Sequence, residues 1–292
     1  MLNRKIVSAS TKILGIIGYP ISHTMSPIMH NLALDDLNLD YVYVKFEVVP
    51  KNLKNAILGM KALNIYGVNA TIPYKESVMQ YMDIIDPLAK KIGAVNTIKI
   101  QDGLFIAKNT DAEGARQALL DADIDLSGLD VVILGSGGAA KAVSYAIVNS
   151  INRLTIINRT KQNAIKLANR LKRHSSSRVA VKKTNKSNLK EEIKKADLLI
   201  NATPIGMLQF HHSSIISRDM LHKDLVVFDL IYNPLETQLL KDAKLTGCKT
   251  LNGLDMLINQ GALAFEWWTS ITPNTNLMKR KIIKILNENE EK

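Results

Sequence analysis

The sequence predicts an α/β fold with mostly parallel sheets, organised as two domains. Three observations carry this expectation. Strand-like apolar runs alternate with helix-like segments almost throughout the 292 residues. A glycine-rich turn, "GSGGAA" from Gly135, sits directly between an apolar run and a helical stretch. The pattern changes at Asp111 and returns to long helices after "GCKTLNG", so the first domain is expected to be discontinuous.

Taken in order, "ILGIIGY" reads as a strand and residues 26–38 as a helix. "YVYVKFEV" is rich in β-branched and aromatic residues and reads as a second strand. Residues 52–63 have helical apolar spacing, and "YGVNATI" is a third strand, broken at Pro73. "AVNTIKI" and "LFIAKNT" flank Asp102-Gly103, a strong hairpin signal. "DAEGARQALLDA" leads as a helix into the second unit. There "LDVVILG", "RLTIINR", "ADLLINAT" and "LVVFDLI" are short apolar strands suited to a sheet buried on both faces. Helices over 254–269 and 276–287 close the chain. The expected boundaries are 1–111, completed by 255–292, for one domain and 112–254 for the other.

Composition narrows the function. Apolar residues make up 46% and charged residues 22%, as in a folded globular protein. Cys248 is the only cysteine, so no intramolecular disulfide can form, in keeping with a reducing compartment. The N-terminal apolar run is too short for a signal peptide core, and no run approaches a membrane span, so a cytoplasmic protein without membrane partners is expected. The net charge is +11, much of it within residues 161–195. That segment carries no aromatic residue to stack on bases and no nucleic-acid motif, so it reads as a solvated basic face, not a nucleic-acid surface. Such a field also draws in anionic small molecules.

Gly135, Gly137 and Ala140 occupy the three positions of a dinucleotide fingerprint. The first permits a tight turn, the second lets backbone approach a pyrophosphate, and the third packs helix on strand. The helix N-terminus supplies free N–H groups for phosphate. The next strand ends in Asn158-Arg159-Thr160, with no carboxylate to take a ribose 2′-hydroxyl, while Arg159 suits a 2′-phosphate. NADP is therefore expected over NAD.

Lys75 follows "NATIPY", Asn96 lies in "GAVNT" and Asp111 in "NTDAEG". Together with "GYPISHTMSPIMHN", "GSGGAAKAV", "NRT", "NATPIGM", "DLIYNPLET" and "GLDMLINQGALAFEWW", in this order, these segments resemble the shikimate dehydrogenase family from Gly18 to Trp268. The resemblance implies an N-terminal α/β substrate domain completed by C-terminal helices, a Rossmann-type NADP domain, and an active site in the cleft between them. It implies NADP-dependent interconversion of 3-dehydroshikimate and shikimate, toward chorismate and aromatic amino acids.

By the same resemblance, Lys75 and Asp111 are the catalytic pair. Thr24 and Ser26 bind the substrate carboxylate with help from Tyr232, and Thr71, Asn96 and Gln260 bond the ring hydroxyls. Ser136, Gly138, Ala139, Thr203, Met207 and Gly253 join the fingerprint glycines and the Asn158–Thr160 turn at the cofactor. Ser26 is also expected to cap the helix that Pro27 begins. His23 and His30 are expected to be structural or satisfied by backbone, with no metal. The partner is a small-molecule substrate, and the chain is a monomer or homodimer.

Two departures from the family stand out. Thr24 replaces the usual serine, and its methyl narrows the pocket beside the carboxylate, which bears on the choice between shikimate and quinate. Asn163 stands where a further basic residue is common, with Lys161 nearby, which allows a weaker NADP preference. The alternatives are a broader quinate/shikimate dehydrogenase and a non-catalytic NADP-binding regulatory protein.

Overall fold

A computed structural model describes residues 7–207 and 213–290. The chain forms two compact units, Met1–Thr110 with Gln260–Lys284, and Asp111–Asn259 with Ile285–Lys292.

The first unit contains β1 (Lys12–Gly18), α1 (Ser26–Asp36), β2 (Tyr41–Glu47), α2 (Leu53–Ala62), β3 (Gly67–Ala70), β4 (Ile84–Ile85), α3 (Pro87–Ile92), β5 (Thr97–Gln101) and β6 (Leu104–Lys108). Its sheet has the order β2-β1-β3-β5-β6-β4. The β2-β1-β3 part is parallel, whereas β5 runs antiparallel to both β3 and β6. The sheet is thus mixed, because the expected hairpin forms: Gln101 pairs with Leu104, and Asp102 and Gly103 take φ of 51° and 72°. Two successive left-handed residues match the strand twist, which is why Asp-Gly is favoured here. In α3, Asp86 accepts from the N–H groups of Leu88 and Ala89, Pro87 starts the helix and Gly93 at φ 75° ends it.

The second unit contains α4 (Asp111–Asp121), β7 (Asp130–Leu134), α5 (Gly138–Ile147), β8 (Arg153–Asn158), α6 (Lys161–Leu171), β9 (Arg178–Lys183), α7 (Lys186–Ile193), β10 (Leu198–Asn201), β11 (Val226–Asp229), α8 (Gln238–Thr246) and β12 (Lys249–Leu251). Its strands pair in the order β12-β11-β10-β7-β8-β9, all parallel. Order reverses between β7 and β10, and ligands of such sheets bind at the carboxyl ends near that reversal. Helices α9 (Leu254–Thr269) and α10 (Thr275–Glu290) follow. In α10, Met278, Ile282 and Leu286 repeat every four residues and are buried.

Several local expectations change. Helix α1 starts at Ser26 itself and Met25 holds the N-cap position with no side-chain cap, so Ser26 does not cap it. β3 stops at Ala70, ahead of Pro73. Residues 161–195 are more than a charged face. They form α6, β9 and α7, and β9 is an edge strand whose lysines discourage pairing with another chain. Part of their charge is paired: Glu192, almost fully buried, meets Arg153 at 2.5 Å and Lys182 at 3.4 Å.

Candidate active site

In the second unit, β7 ends at Leu134 and the chain turns at Gly135, φ 107°. A Cβ there would sit 3.0 Å from the carbonyl of Ala202 and 3.5 Å from the Thr203 methyl, so only glycine keeps both the backbone angle and the approach to the β10 loop. Gly137 is the N-cap residue of α5, with no side-chain cap, and a Cβ on it would meet nothing within 4 Å. The first N–H groups of α5 have no partner within the helix and no side-chain cap from Gly137, which fits a pyrophosphate. Ser136 and Ala140 are buried, and Gly138 and Ala139 half-buried, around this turn.

At the end of β8 the Asn158 amide donates to the carbonyl of Thr160 at 2.9 Å, shaping the turn that leaves Arg159 exposed beside the start of α6. Thr160 is exposed and makes no cap hydrogen bond. A guanidinium and an uncapped helix start suit a phosphate dianion. Beyond β10, Asn201 accepts from the N–H and hydroxyl of Thr203. Met207 is exposed, and the N–H of Gly253 donates to the carbonyl of Ile231, next to half-buried Tyr232. A Cβ on Gly253 would lie 2.0 Å from the carbonyl of Leu230, so a side chain is excluded there.

In the first unit, Thr24 donates its hydroxyl to Ser26 Oγ at 3.2 Å and accepts the Ser26 N–H at 3.3 Å. The pair forms a two-hydroxyl turn at the head of α1. Thr71 is held by its N–H on the carbonyl of Ile17, and Gly18 leaves the room its methyl occupies. Lys75 is half-buried, its backbone gripped from both sides. The Val95 N–H donates to its carbonyl at 2.7 Å, and the hydroxyl of neighbouring Tyr74 bonds the carbonyl of Val48. Asn96 is 1% exposed. Its amide nitrogen donates to Thr110 at 2.9 Å and to Gln260 at 3.1 Å, and its oxygen accepts from Thr97 and Thr110. Asp111 begins α4 in the second unit and is buried.

The structure therefore joins Thr24 to Ser26 and Asn96 to Gln260 in one unit, and brings Gly135 against Thr203 in the other. Three further residues belong to the cofactor end of the sheet, inside the segments "NATPIGM" and "DLIYNPLET" but with no role assigned from sequence: Asn201 and Thr237 each donate to Asp229 behind the β10 and β11 loops. Their signal was an acid closing an apolar strand with no cation near it in sequence. His23 is exposed. His30 is fully buried, stacks on Tyr43 at 4.3 Å, and has neither ring nitrogen hydrogen-bonded, so of the two expected alternatives it is the packed core ring and not the backbone-bonded one. Burial pushes its pKa down to about 3. Among the described residues no three His, Cys, Asp or Glu side chains are grouped to hold a metal, and no helix is long and apolar enough to cross a membrane.

A parallel sheet with an open glycine turn at its order reversal in one unit, and in the other a mixed sheet bearing a lysine and clustered amide and hydroxyl groups, define a two-domain dinucleotide-binding protein of the α/β class. Family models agree. That of the shikimate dehydrogenase substrate binding domain matches residues 16–98, and that of the shikimate 5'-dehydrogenase C-terminal domain matches residues 253–283. That of the saccharopine dehydrogenase NADP binding domain matches residues 131–216. Shikimate dehydrogenase (NADP(+)) of Methanocaldococcus jannaschii is 48% identical over 95% of this chain and 98% of its own. A crystal structure of a shikimate dehydrogenase in complex with NADP+ superposes with a TM-score of 0.89 at 46% identity, covering 96% of this chain and 98% of that one. The Listeria monocytogenes shikimate 5-dehydrogenase in complex with shikimate and NAD gives 0.86 at 36% identity, covering 95% and 98%. The chain belongs to the shikimate dehydrogenase family.

Proposed function

We propose that this protein catalyses the NADP-dependent interconversion of 3-dehydroshikimate and shikimate in the cytoplasm, on the route to chorismate and aromatic amino acids. The observation that carries the reading is the near full-length identity of 48% to the Methanocaldococcus jannaschii enzyme, and this chain carries Lys75, Asp111 and the Gly135 turn in the segments that resemble the family. The substrate role falls to residues 1–111 with 255–292, the cofactor role to residues 112–254, and the working form is a monomer or homodimer.

Thr24 and Ser26 donate hydroxyl hydrogens to the substrate carboxylate, with Tyr232 adding a third. Two neutral donors from one turn hold an anion without the cost of burying a guanidinium. Thr71, Asn96 and Gln260 bond the ring hydroxyls. When bound, NADPH supplies a hydride to the C3 carbonyl carbon. Lys75 donates a hydrogen bond, then a proton, to the oxygen on which charge develops, and Asp111 orients the ammonium. Gly135, Gly137 and the start of α5 take the pyrophosphate. Asn158, Arg159 and Thr160 take the 2′-phosphate, and Thr203, Met207 and Gly253 line the nicotinamide end.

A second reading, a broader enzyme that accepts quinate or NAD, draws support from the NAD in the Listeria monocytogenes structure and from Thr24 and Asn163 in this chain. Reduction of 3-dehydroshikimate, followed as loss of NADPH absorbance, tests the main reading. Turnover is expected, and its absence from folded protein rejects it.

A further inference from the structure

Asp229 closes β11, is 0% exposed, and has no role in the chemistry proposed above. Its Oδ1 accepts from the Asn201 amide at 2.9 Å and from the Ile231 N–H at 3.2 Å, and its Oδ2 accepts from the Thr237 hydroxyl at 2.7 Å. Asn201 closes β10 and is paired with Asp229 in the parallel register. The same Asn201 amide donates to the carbonyl of Ile205 at 3.2 Å, and its oxygen accepts from the Thr203 N–H at 3.1 Å and hydroxyl at 2.7 Å. Ile231 passes the connection to Gly253, whose N–H its carbonyl accepts at 2.9 Å. Thr237 caps α8 through the Leu240 N–H.

One carboxylate thus ties three segments: residues 203–205 through Asn201, residues 231–232 with Gly253, and the head of α8. These segments carry Thr203, Tyr232 and Gly253, and Met207 is joined to the first of them by its N–H on the carbonyl of Pro204. Among the described residues, desolvation and the bonds from Thr237, Ile231 and Asn201 dominate the surroundings of Asp229, with no cation beside it. Burial pushes its pKa up to about 6, against the pull of three hydrogen bonds from Thr237, Ile231 and Asn201. A buried acid without a cation is an expensive way to fasten a fold, since an apolar or amide side chain avoids the desolvation.

We propose that Asp229 and Asn201 are a positioning pair. They hold the β10 and β11 loops in the one arrangement in which the nicotinamide-end contacts and the Tyr232 contact form together. The proposal rests on the function proposed above, and it separates from a purely structural role. A structural strut lowers the melting temperature on removal but leaves ligand affinity in the folded protein unchanged. A positioning pair changes affinity for both ligands in protein that still folds.

The test uses the full chain as wild type, Asp229→Asn, Asp229→Ala and Asn201→Ala. NADP+ binding is measured by calorimetry from pH 5 to 8, KM and kcat are measured for shikimate and NADP+, and folding is checked by circular dichroism. Asp229→Ala and Asn201→Ala are expected to weaken NADP+ binding and raise both KM values about tenfold or more, the scale of one lost buried hydrogen bond to a charged group, with a smaller change in kcat. Asp229→Asn keeps the oxygen that Asn201 and Ile231 bond but, like the protonated acid, lacks the charge, and is expected to bind NADP+ with an affinity between those of wild type and Asp229→Ala. The 2′-phosphate also titrates near pH 6, so the pH readout is the difference between wild type and Asp229→Asn. Wild-type binding is expected to weaken below about pH 6 more steeply than that of Asp229→Asn. Unchanged binding in the folded alanine variants, or identical pH profiles, overturns the proposal. If the alanine variants do not fold, the pH comparison decides alone. Calorimetry does not depend on turnover, so an inactive wild type that still binds NADP+ would count against the proposed reaction and not against the positioning pair.

Discussion

The side-chain amide of Asn96 donates to Gln260 Oε1 at 3.1 Å, joining residues 164 positions apart. Helix α9 begins in the second unit, and from Gln260 onward it belongs to the first. Gly261 follows, and a Cβ there would lie 2.3 Å from the Met29 methyl, so a larger residue would make the end of that methionine move where α9 meets α1. The Asn96–Gln260 amide pair is thus one bond that ties the returning helix to the first unit.

Removing that pair should cost stability unequally. Gln260→Ala leaves one donor of Asn96 unpartnered, at about 1–3 kcal/mol. Asn96→Ala also strips partners from Thr97 and Thr110, and should cost more. Thermal unfolding monitored by circular dichroism checks the order. Equal midpoints for the two variants would mean that the network around Asn96 is not cooperative.

Lys75→Ala should lower turnover by roughly 10²–10⁴-fold with a smaller change in KM for shikimate, because a proton donor acts chiefly in the transition state. Its backbone is fixed through Val95 and its side chain is not part of the core, so the variant should fold. Asp111→Asn should be slowed as well. Near-normal turnover in Lys75→Ala would remove the lysine from the chemistry.

Arg159→Ala should raise KM for NADP+ far more than KM for NAD+. The exposed guanidinium leaves a turn shaped by Asn158 and is not needed to hold it. Initial rates at saturating shikimate with each cofactor are the measurement. Equal losses with both cofactors would contradict a 2′-phosphate contact.

His30 predicts a pH effect on stability. Its pKa is about 3 in the fold against an ordinary 6.5, so the unfolded chain takes up the proton first. The contribution is present above about pH 6.5 and is lost as pH falls toward 3, at up to about 1.4 kcal/mol per pH unit. Asp229 acts in the opposite sense: its pKa is raised, so its contribution is present below about pH 4 and is lost as pH rises through 6. His30→Leu should move the acid-unfolding midpoint to lower pH, read by circular dichroism. A midpoint that stays put would mean that other groups set acid stability.

Much of the fold was legible because its signals are local. The Asp102-Gly103 hairpin, the strand ending before Gly135 and the helix over 254–269 follow from a turn, a glycine and a periodicity. The α6–β9–α7 segment was missed although Ala164, Leu167, Ala168 and Leu171 carry a helical apolar stripe, because lysine and arginine on the exposed faces dominate the composition. Strand β12, three residues long, is too short for any pattern. In the site, the glycine turn was readable from neighbouring residues. The substrate-side groups were reached through family resemblance, since their convergence is tertiary: nothing near Asn96 in sequence announces Gln260. The quoted motifs held Asn201, Asp229 and Thr237, yet their pairing was not legible for a similar reason, because an acid closing an apolar strand reads as solvent-facing until its burial is known.

The most direct test of the central claim is the initial rate of cofactor reduction by purified protein with shikimate and with quinate, each against NADP+ and NAD+. The account predicts a kcat/KM for shikimate with NADP+ well above the other three combinations. Comparable values with quinate or NAD+ would make the protein a broader dehydrogenase on the same fold. No turnover with any pair, from folded protein, would contradict the account.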